Sequence, residues 1–199
     1  HEAIAQILMA QNFVTLADYY GDVPYSNAVQ ADEDVILPTY DSQEAVYKGA
    51  IADFVAAAAS ISNNMGNLEA FGASQDIFFG GDAEKWMKYA NSLALRYYMR
   101  LSEKDPGYAQ AGVTATLAKP LISSVDEECA LAYTGTDANS SQPSNSATGG
   151  ASAFNRVKPC TTFTDRLGEL NDPRANIWFA PVAIPIKVVA AADVPGGED

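Results

Sequence analysis

One run of apolar residues constrains the fold of this 199-residue chain more than any other feature. Between positions 47 and 61 the apolar side chains recur at alternating steps of four and three residues: Tyr47, Ile51, Phe54, Ala58 and Ile61. This spacing places all of them on one face of an α-helix. The run predicts an amphipathic helix that begins at Asp41 or Ser42, where Asp41 and Glu44 have the spacing of a capping box.

Three further segments carry helical stripes of the same kind. Residues 2–20 predict a helix that Gly21 ends, residues 82–105 predict one that Asp82 caps, and residues 106–118 predict a shorter one that Pro106 begins. Their predicted buried stripes are Ala3, Ile7, Ala10, Val14 and Ala17; Trp86, Ala90, Leu93, Tyr97 and Leu101; and Tyr108, Ala111, Ala115 and Ala118. The last two helices predict an antiparallel hairpin with closely approaching axes.

The rest of the chain is poor in helical periodicity. Residues 21–40 and 134–153 have the composition of exposed loops, a short helix is expected over 162–170, and Pro181 and Pro185 favour an extended, irregular stretch. We therefore expect an all-α fold with long irregular loops. We interpret 1–199 as a single domain, part of a longer chain, with a helical-repeat core at 1–120 and a loop-rich region at 121–199. Solenoids of helix pairs keep only a loose repeat, so a tetratricopeptide-like arrangement stays open.

Charge excludes one class of partner. The chain has 25 acidic and 12 basic residues, a formal net charge of −13, whereas nucleic-acid binding requires clustered Lys and Arg. No apolar run approaches the ~18–20 residues that span a bilayer. Cys129 and Cys160 are not in a C-x-x-C pair, and two buried free thiols are favoured over a single disulfide.

The sequence carries no recognisable catalytic set. His1 is the only histidine and stands at the terminus, so neither a Ser-His-Asp nor a Cys-His arrangement has a base. No phosphate-binding glycine motif is present, and we expect no enzyme activity, no cofactor and no metal. The acidic runs 32–34 and 126–128 are interpreted as solvated surface. The alternative is that the chain is a glycosidase that takes its pair of catalytic acids from such loops.

Aromatic residues are the remaining candidates for ligand contacts, because their faces stack against the C–H surfaces of sugars. Trp86, Tyr89 and Tyr97 have the spacing of core residues and are interpreted as packing. Trp178, Tyr133 and Phe154 lie in loop-like regions, and we take these three as the candidate ligand-binding residues.

Five strings, in order and spacing, resemble the SusD/RagB-like family of Bacteroidetes outer-membrane lipoproteins. They are LADYYGDVPYS at 16–26, PTYDSQE at 38–44, GGDAEKW at 80–86, ANSLALR at 90–96 with MRL at 99–101, and LNDPR at 170–174. Members of that family are considerably longer and carry an N-terminal lipidated Cys that is absent from these residues. The matching strings are helix caps, turns and hairpin core, so no binding residue is carried over from the family.

The resemblance implies a SusD-like, mostly α-helical fold with tetratricopeptide-like helix pairs. It also implies a non-enzymatic lipoprotein on the outer face of the outer membrane, anchored through a segment absent here. The implied ligand is an oligosaccharide or polysaccharide, and the implied partner is a SusC-like TonB-dependent transporter. A helical-repeat scaffold that binds a protein or peptide nutrient is the alternative.

Overall fold

The computed structural model of the protein describes residues 1–30, 37–66, 75–131 and 159–179. The chain divides into two compact units, His1–Ala132 and Tyr133–Asp199. The described part of the first unit has four α-helices: α1 (Glu2–Tyr20), α2 (Gln43–Asn64), α3 (Ala83–Arg100) and α4 (Pro106–Leu117). The four helices predicted from the apolar stripes are therefore present, and their ends fall close to the predicted caps.

Each helix of the first unit packs against the next one along the chain. Gln6, near the start of α1, donates to Asp53 well along α2, whereas Asp18, near the end of α1, accepts from Tyr47 near the start of α2. These two helices are therefore antiparallel. Tyr89 of α3 donates to Gln11 of α1 at 2.7 Å, which ties the first helix to the third.

Helix α2 is the centre of this unit because α1 and α3 both pack on it. All five residues of its predicted stripe are buried, and a second row of buried residues lies beside them: Val46, Ala50 and Ala57. By length and composition alone α2 is apolar enough to cross a membrane. Its buried apolar face packs inside the unit, as expected for a core helix.

The capping of α2 differs from the capping-box prediction, which is wrong. Ser42 is the N-cap, and its hydroxyl accepts from the N–H of Ala45. Asp41 instead lies in a short strand, β2 (Tyr40–Asp41), which pairs antiparallel with β1 (Val23–Pro24). The Asp41 carboxylate accepts from the backbone N–H groups of Tyr25 and Ser26, because this pairing brings residues 25 and 26 within its reach. The loop between α1 and α2 is thus pinned by a small sheet that the sequence did not predict.

The buried face of α4 also differs from the prediction. Ala109, Gly112 and Thr116 face inward, whereas Ala111 and Ala115 are exposed and Tyr108 is only half-buried. The Tyr98 ring of α3 occupies the space where a Cβ at position 112 would stand. Gly112 therefore decides which side of α4 meets α3, and this turns the helix by about one residue from the predicted stripe.

A strap, defined as residues 120–129, runs back along α3. Asn91 donates to the Pro120 carbonyl at 3.0 Å and the Ser92 hydroxyl accepts from the Ile122 N–H at 3.0 Å. Farther along, Lys88 of α3 forms an ion pair with Glu127. Glu127 is half-buried in this pair, so the interpretation of residues 126–128 as solvated surface is wrong at this position.

The second unit contributes two described helices, α5 (Thr161–Glu169) and the single turn α6 (Ala175–Trp178). Helix α5 fulfils the prediction of a short helix over 162–170, and its one buried side chain is Leu167. Cys160 is an exposed free thiol that precedes α5, and Cys129 of the first unit is a half-buried free thiol. The expectation that both thiols are buried is therefore wrong.

Candidate functional site

Trp178 is the one predicted ligand contact that the structure describes. The sequence placed it in an irregular stretch, but it ends the helical turn α6 because its N–H donates to the Arg174 carbonyl at 2.8 Å. Its side chain is 52% exposed. Tyr133 and Phe154 lie outside the described residues. Trp86 and Tyr97 are buried and Tyr89 is half-buried, so their interpretation as packing is confirmed.

The ring of Phe163 on α5 lies nearly parallel to that of Trp178. The two ring centroids are 6.2 Å apart and the ring planes differ by 13°. At this separation parallel rings are offset, so each leaves part of its face uncovered by the other. Phe163 is 44% exposed. Together Phe163 and Trp178 form what we call the aromatic surface of the second unit.

Phe163 is not among the ligand contacts predicted from the sequence, because aromatic side chains on predicted helices are interpreted as packing. One signal was present in the chain. Helix α5 is short, and Leu167 four residues later is its only buried side chain. A helix of this kind has little apolar core to fill, so a large ring on it has reason to serve another role.

The turn between α5 and α6 positions the aromatic surface. Asn171 has a φ of +48°, in the left-handed region that Asn tolerates better than most residues. The Asp172 N–H donates to the Leu167 carbonyl at 2.9 Å, and the Asp172 carboxylate accepts from the Arg174 N–H at 3.0 Å. Pro173 between them has a fixed φ. The string LNDPR thus folds as a turn that starts α6 and returns Trp178 to α5.

The Arg174 side chain joins this turn to the indole. Its Nε lies 2.9 and 3.0 Å from the two carboxylate oxygens of Asp172, and its guanidinium carbon lies 5.0 Å from the centroid of the Trp178 ring. The side-chain hydrogen bond from Arg174, followed by the backbone one, lowers the pKa of Asp172 to about 2. The pair therefore stays ionised throughout the pH range in which the protein would work.

A cavity of about 610 Å³ lies beside α5 and shares Phe163 with the aromatic surface. Its other described lining residues are polar or small: Cys160, Thr162, Asp165, Arg166 and Glu169. A ring bordered by hydroxyl, carboxylate and guanidinium groups is the composition of a site for a polyhydroxylated ligand, because the ring stacks while the polar groups bond the hydroxyls.

A second cavity, of about 370 Å³, lies in the first unit where α2 and α4 begin and α3 ends. Its basic residues are largely paired within the protein. Lys48 forms ion pairs with Glu44 and Asp105 at 2.7 and 2.8 Å, and Arg100 pairs with Asp18. These pairs connect the ends of the helices, so the polar groups here serve the packing of the unit first.

Within the part of the chain that the structure describes, no three His, Cys, Asp or Glu side chains are grouped so that they could hold a metal ion. The acids beside the aromatic surface and its cavity are Asp165, Glu169 and Asp172. Glu169 is paired with Arg166 at 2.9 Å and Asp172 with Arg174. The described site therefore offers stacking and hydrogen bonding.

A protein-family comparison matches residues 1–187 to SusD-like proteins, described as "Starch-binding associating with outer membrane". The chain belongs to this SusD-like family. Proteins of the family are binding proteins and not enzymes. No curated protein matches the chain.

Solved structures agree with the SusD-like assignment. A SusD homologue from Bacteroides uniformis is 31% identical over 69% of this chain, with a TM-score of 0.62. A protein described as chitin-binding is 28% identical over 86% of the chain, with a TM-score of 0.64. A chitin-binding SusD homologue from Flavobacterium johnsoniae is 21% identical over 87%, with a TM-score of 0.72, and supports the fold alone.

The chain spans 28%, 34% and 35% of the length of these three structures, in the order given. The prediction of an all-α fold with tetratricopeptide-like helix pairs is confirmed.

Proposed function

We propose that this SusD-like chain is part of a surface glycan-binding protein that captures oligosaccharides for import through a SusC-like TonB-dependent transporter. The observation that carries the proposal is the family match over residues 1–187. The chitin-binding protein that is 28% identical to this chain favours a polysaccharide ligand. In this proposal the protein is held at the outer face of the outer membrane by a lipid anchor, and residues 1–199 form a single SusD-like domain.

Trp178 and Phe163 are the proposed stacking residues, with Tyr133 and Phe154 as the further contacts expected from the sequence. A pyranose presents an apolar C–H face that fits an exposed ring, and its hydroxyls hydrogen-bond to polar groups beside the ring. The polar lining next to Phe163 and the guanidinium of Arg174 supply such groups. No bond in the sugar needs to break for capture and delivery.

Isothermal titration against starch, chitin oligosaccharides and a broader polysaccharide panel tests the proposal. We expect binding to at least one glycan, and a Trp178→Ala variant to bind it at least about fivefold more weakly, since stacking of an aromatic ring contributes on the order of 1 kcal/mol or more. Tyr19→Ala is the matched control, because Tyr19 is an exposed aromatic of the first unit. Absence of binding to every glycan would contradict the proposal, and unchanged affinity of Trp178→Ala would remove this residue from the site.

The transporter partnership has its own tests. The protein is expected to co-purify with a TonB-dependent transporter from the outer membrane, and the gene for that transporter is expected immediately upstream of its own. A gene neighbourhood without a transporter, together with no co-purification, would contradict this part of the proposal while leaving glycan binding intact.

One observation favours the alternative of a protein or peptide ligand. Helix α1 presents apolar side chains to solvent at Met9, Leu16, Tyr19 and Tyr20, which are 43–80% exposed. Exposed apolar rows of this kind are common at protein contacts. If transporter or peptide binding is lost in Leu16→Glu, while no saccharide raises the melting temperature, the alternative replaces glycan capture.

A further inference from the structure

Arg174 contacts both the acid that precedes it and the ring that follows it. We infer that Arg174 is a positioning residue: held by Asp172, its guanidinium sets the orientation of the Trp178 indole and so decides which part of the ring a sugar can reach. This inference rests on the proposed glycan binding at the aromatic surface.

Hydrogen bonds connect the backbone of the turn, through the Asp172 carboxylate, to the Arg174 guanidinium that lies over the indole. The Asp172 carboxylate is held by the backbone N–H of Arg174, and it accepts from Nε and Nη2 of the Arg174 side chain. Only 11% of the Asp172 side chain is exposed. A planar guanidinium that is gripped by a carboxylate has lost its rotational freedom, so the ring it covers faces a fixed partner.

The surroundings of Trp178 give it few other constraints. Helix α6 is a single turn of four residues, too short to be stable by itself. Its neighbour Ile177 is 79% exposed, so among the described residues little apolar packing holds the turn on that side. Among the described residues, the Arg174 guanidinium and the Phe163 ring both lie beside the indole, with the guanidinium carbon 5.0 Å and the Phe163 centroid 6.2 Å from its ring centroid. Of the two, only Arg174 is fixed by a hydrogen-bonded fork.

The Trp178 indole therefore has one part that the Arg174 guanidinium covers and one part that is open to a ligand. Where the guanidinium covers the ring a sugar cannot stack, so the exposed half of the residue is the surface left for a ligand. The Nη1 group of Arg174 makes no hydrogen bond to any described residue, and each guanidinium carries five N–H donors. The Nη1 donors are therefore not used by Asp172, and in this proposal they bond the hydroxyls of a stacked sugar.

Arg174→Lys tests the inference because it keeps the positive charge but removes the planar fork. Acrylamide quenching of tryptophan fluorescence measures how far the indole is accessible: Trp86 is 1% exposed, so the quencher reaches mainly Trp178. We expect the quenching constant of Arg174→Lys to rise and its glycan affinity to fall about tenfold, with the melting temperature unchanged within about 2 °C. Wild-type quenching in Arg174→Lys would overturn the inference.

Asp172→Asn separates the fork from the turn. Its amide oxygen can still accept from the Arg174 N–H, so the turn survives, but the second oxygen, which accepts from Nε and Nη2 of the side chain, is replaced by an NH2 group that cannot accept. We expect the same changes as in Arg174→Lys, and unchanged quenching in this variant counts against the inference. Arg96→Lys is the matched control, since Arg96 of α3 lies over the Tyr97 ring at 6.0 Å and forms no carboxylate fork with a described residue.

The two proposals fail in different ways. If the wild-type protein binds no glycan, the proposed function fails, while the quenching measurement still decides whether Arg174 positions the indole. If the wild-type protein binds a glycan and Arg174→Lys binds it equally well with unchanged quenching, the positioning role fails and the proposed function stands.

Discussion

The two tryptophans of this chain stand beside an aspartate in opposite ways. Trp86 of the first unit is buried, donates its indole N–H to Asp76 at 2.8 Å, and meets the rings of Phe78 and Phe79 edge-on. Trp178 of the second unit is half exposed, and the nearby Asp172 bonds Arg174 instead of the indole. Asp76 accepts the hydrogen bond of a buried indole, whereas Asp172 holds the Arg174 guanidinium over an exposed indole.

The difference separates stability from recognition. Burial of an aromatic side chain contributes several kcal/mol to folding, whereas an exposed ring contributes little until a ligand covers it. The first unit buries the rings of Phe54, Trp86 and Tyr97 inside the helix array. The second unit leaves Phe163 and Trp178 open. Substitutions of the buried rings in the first unit should therefore lower the free energy of unfolding, whereas substitutions of the exposed rings in the second unit should weaken ligand binding.

The largest loss of stability is expected from Phe54→Ala. Phe54 is fully buried at the centre of α2, and its ring stacks on Tyr97 with 5.7 Å between centroids. Removing it leaves a cavity, which costs about 3–5 kcal/mol of unfolding free energy. Urea unfolding measures this directly. A cost below about 1 kcal/mol would mean that the first unit does not depend on its aromatic interior.

The next effect is expected at Asp76, which is 5% exposed. Burial alone would raise its pKa, but hydrogen bonds from the Trp86 indole and from the N–H groups of Gly81, Phe79 and Phe78 outweigh burial and lower it. Asp76→Asn is expected to cost about 2–3 kcal/mol at pH 7, because an amide cannot accept all four donors.

The lowered pKa of Asp76 also fixes the direction of its pH dependence. A carboxyl with a lowered folded-state pKa stabilises the protein above its unfolded value, near 3.8, and this contribution disappears as pH falls further. Unfolding free energies measured from pH 6 to pH 2.5 should therefore fall more steeply in the wild-type protein than in Asp76→Asn. Parallel curves would contradict the assignment.

An intermediate effect is expected from Gly112→Ala. A methyl group at this position would overlap the Tyr98 ring, so α3 and α4 must separate or the ring must move. Overpacking of this kind costs about 1–3 kcal/mol. Gly107→Ala on the same helix is the control, because nothing lies within 4 Å of its added Cβ, and it should be neutral or stabilise by up to about 1 kcal/mol. Equal effects in the two variants would mean that close approach is not what Gly112 provides.

The smallest effect on stability is expected from Trp178→Ala. An exposed ring on a single helical turn contributes little to folding, so the unfolding free energy should change by less than about 1 kcal/mol. Circular dichroism melting checks this, with Trp86→Ala as the opposite case. If Trp178→Ala destabilised the protein as much as Trp86→Ala, the proposed division between a packing ring and a binding ring would be wrong.

The sequence predicted most of the helical unit because helical periodicity is local. Ile7, Val14, Ile51 and Phe54 reveal their faces by spacing alone, and all are buried. Prediction was wrong where a distant residue decides the outcome. The inward face of α4 depends on the Tyr98 ring at Gly112, and the bonds of Asp41 depend on the pairing of β1 with β2.

The site was harder to predict than the fold for the same reason. Trp178 could be selected as an aromatic outside a strong helical stripe. Its partner Phe163 comes close only because the turn at Asn171 and Asp172 folds back, and the position of Arg174 over the ring follows from that turn. These contacts depend on a turn in which Asn171 has a positive φ, and the spacing of residues in the sequence does not predict such a turn.

The strap along α3 has a consequence for how the gene could be shortened. Asn91 is 2% exposed and uses its amide to hold the Pro120 carbonyl, while Lys85 and Lys88 reach Asp126 and Glu127. A truncation at Leu117 would keep α1 to α4 but remove the partners of Asn91 and Lys85 in the strap, and it would leave Lys88 with Glu84 alone. A shortened version of the helical unit should therefore retain the strap as far as Cys129.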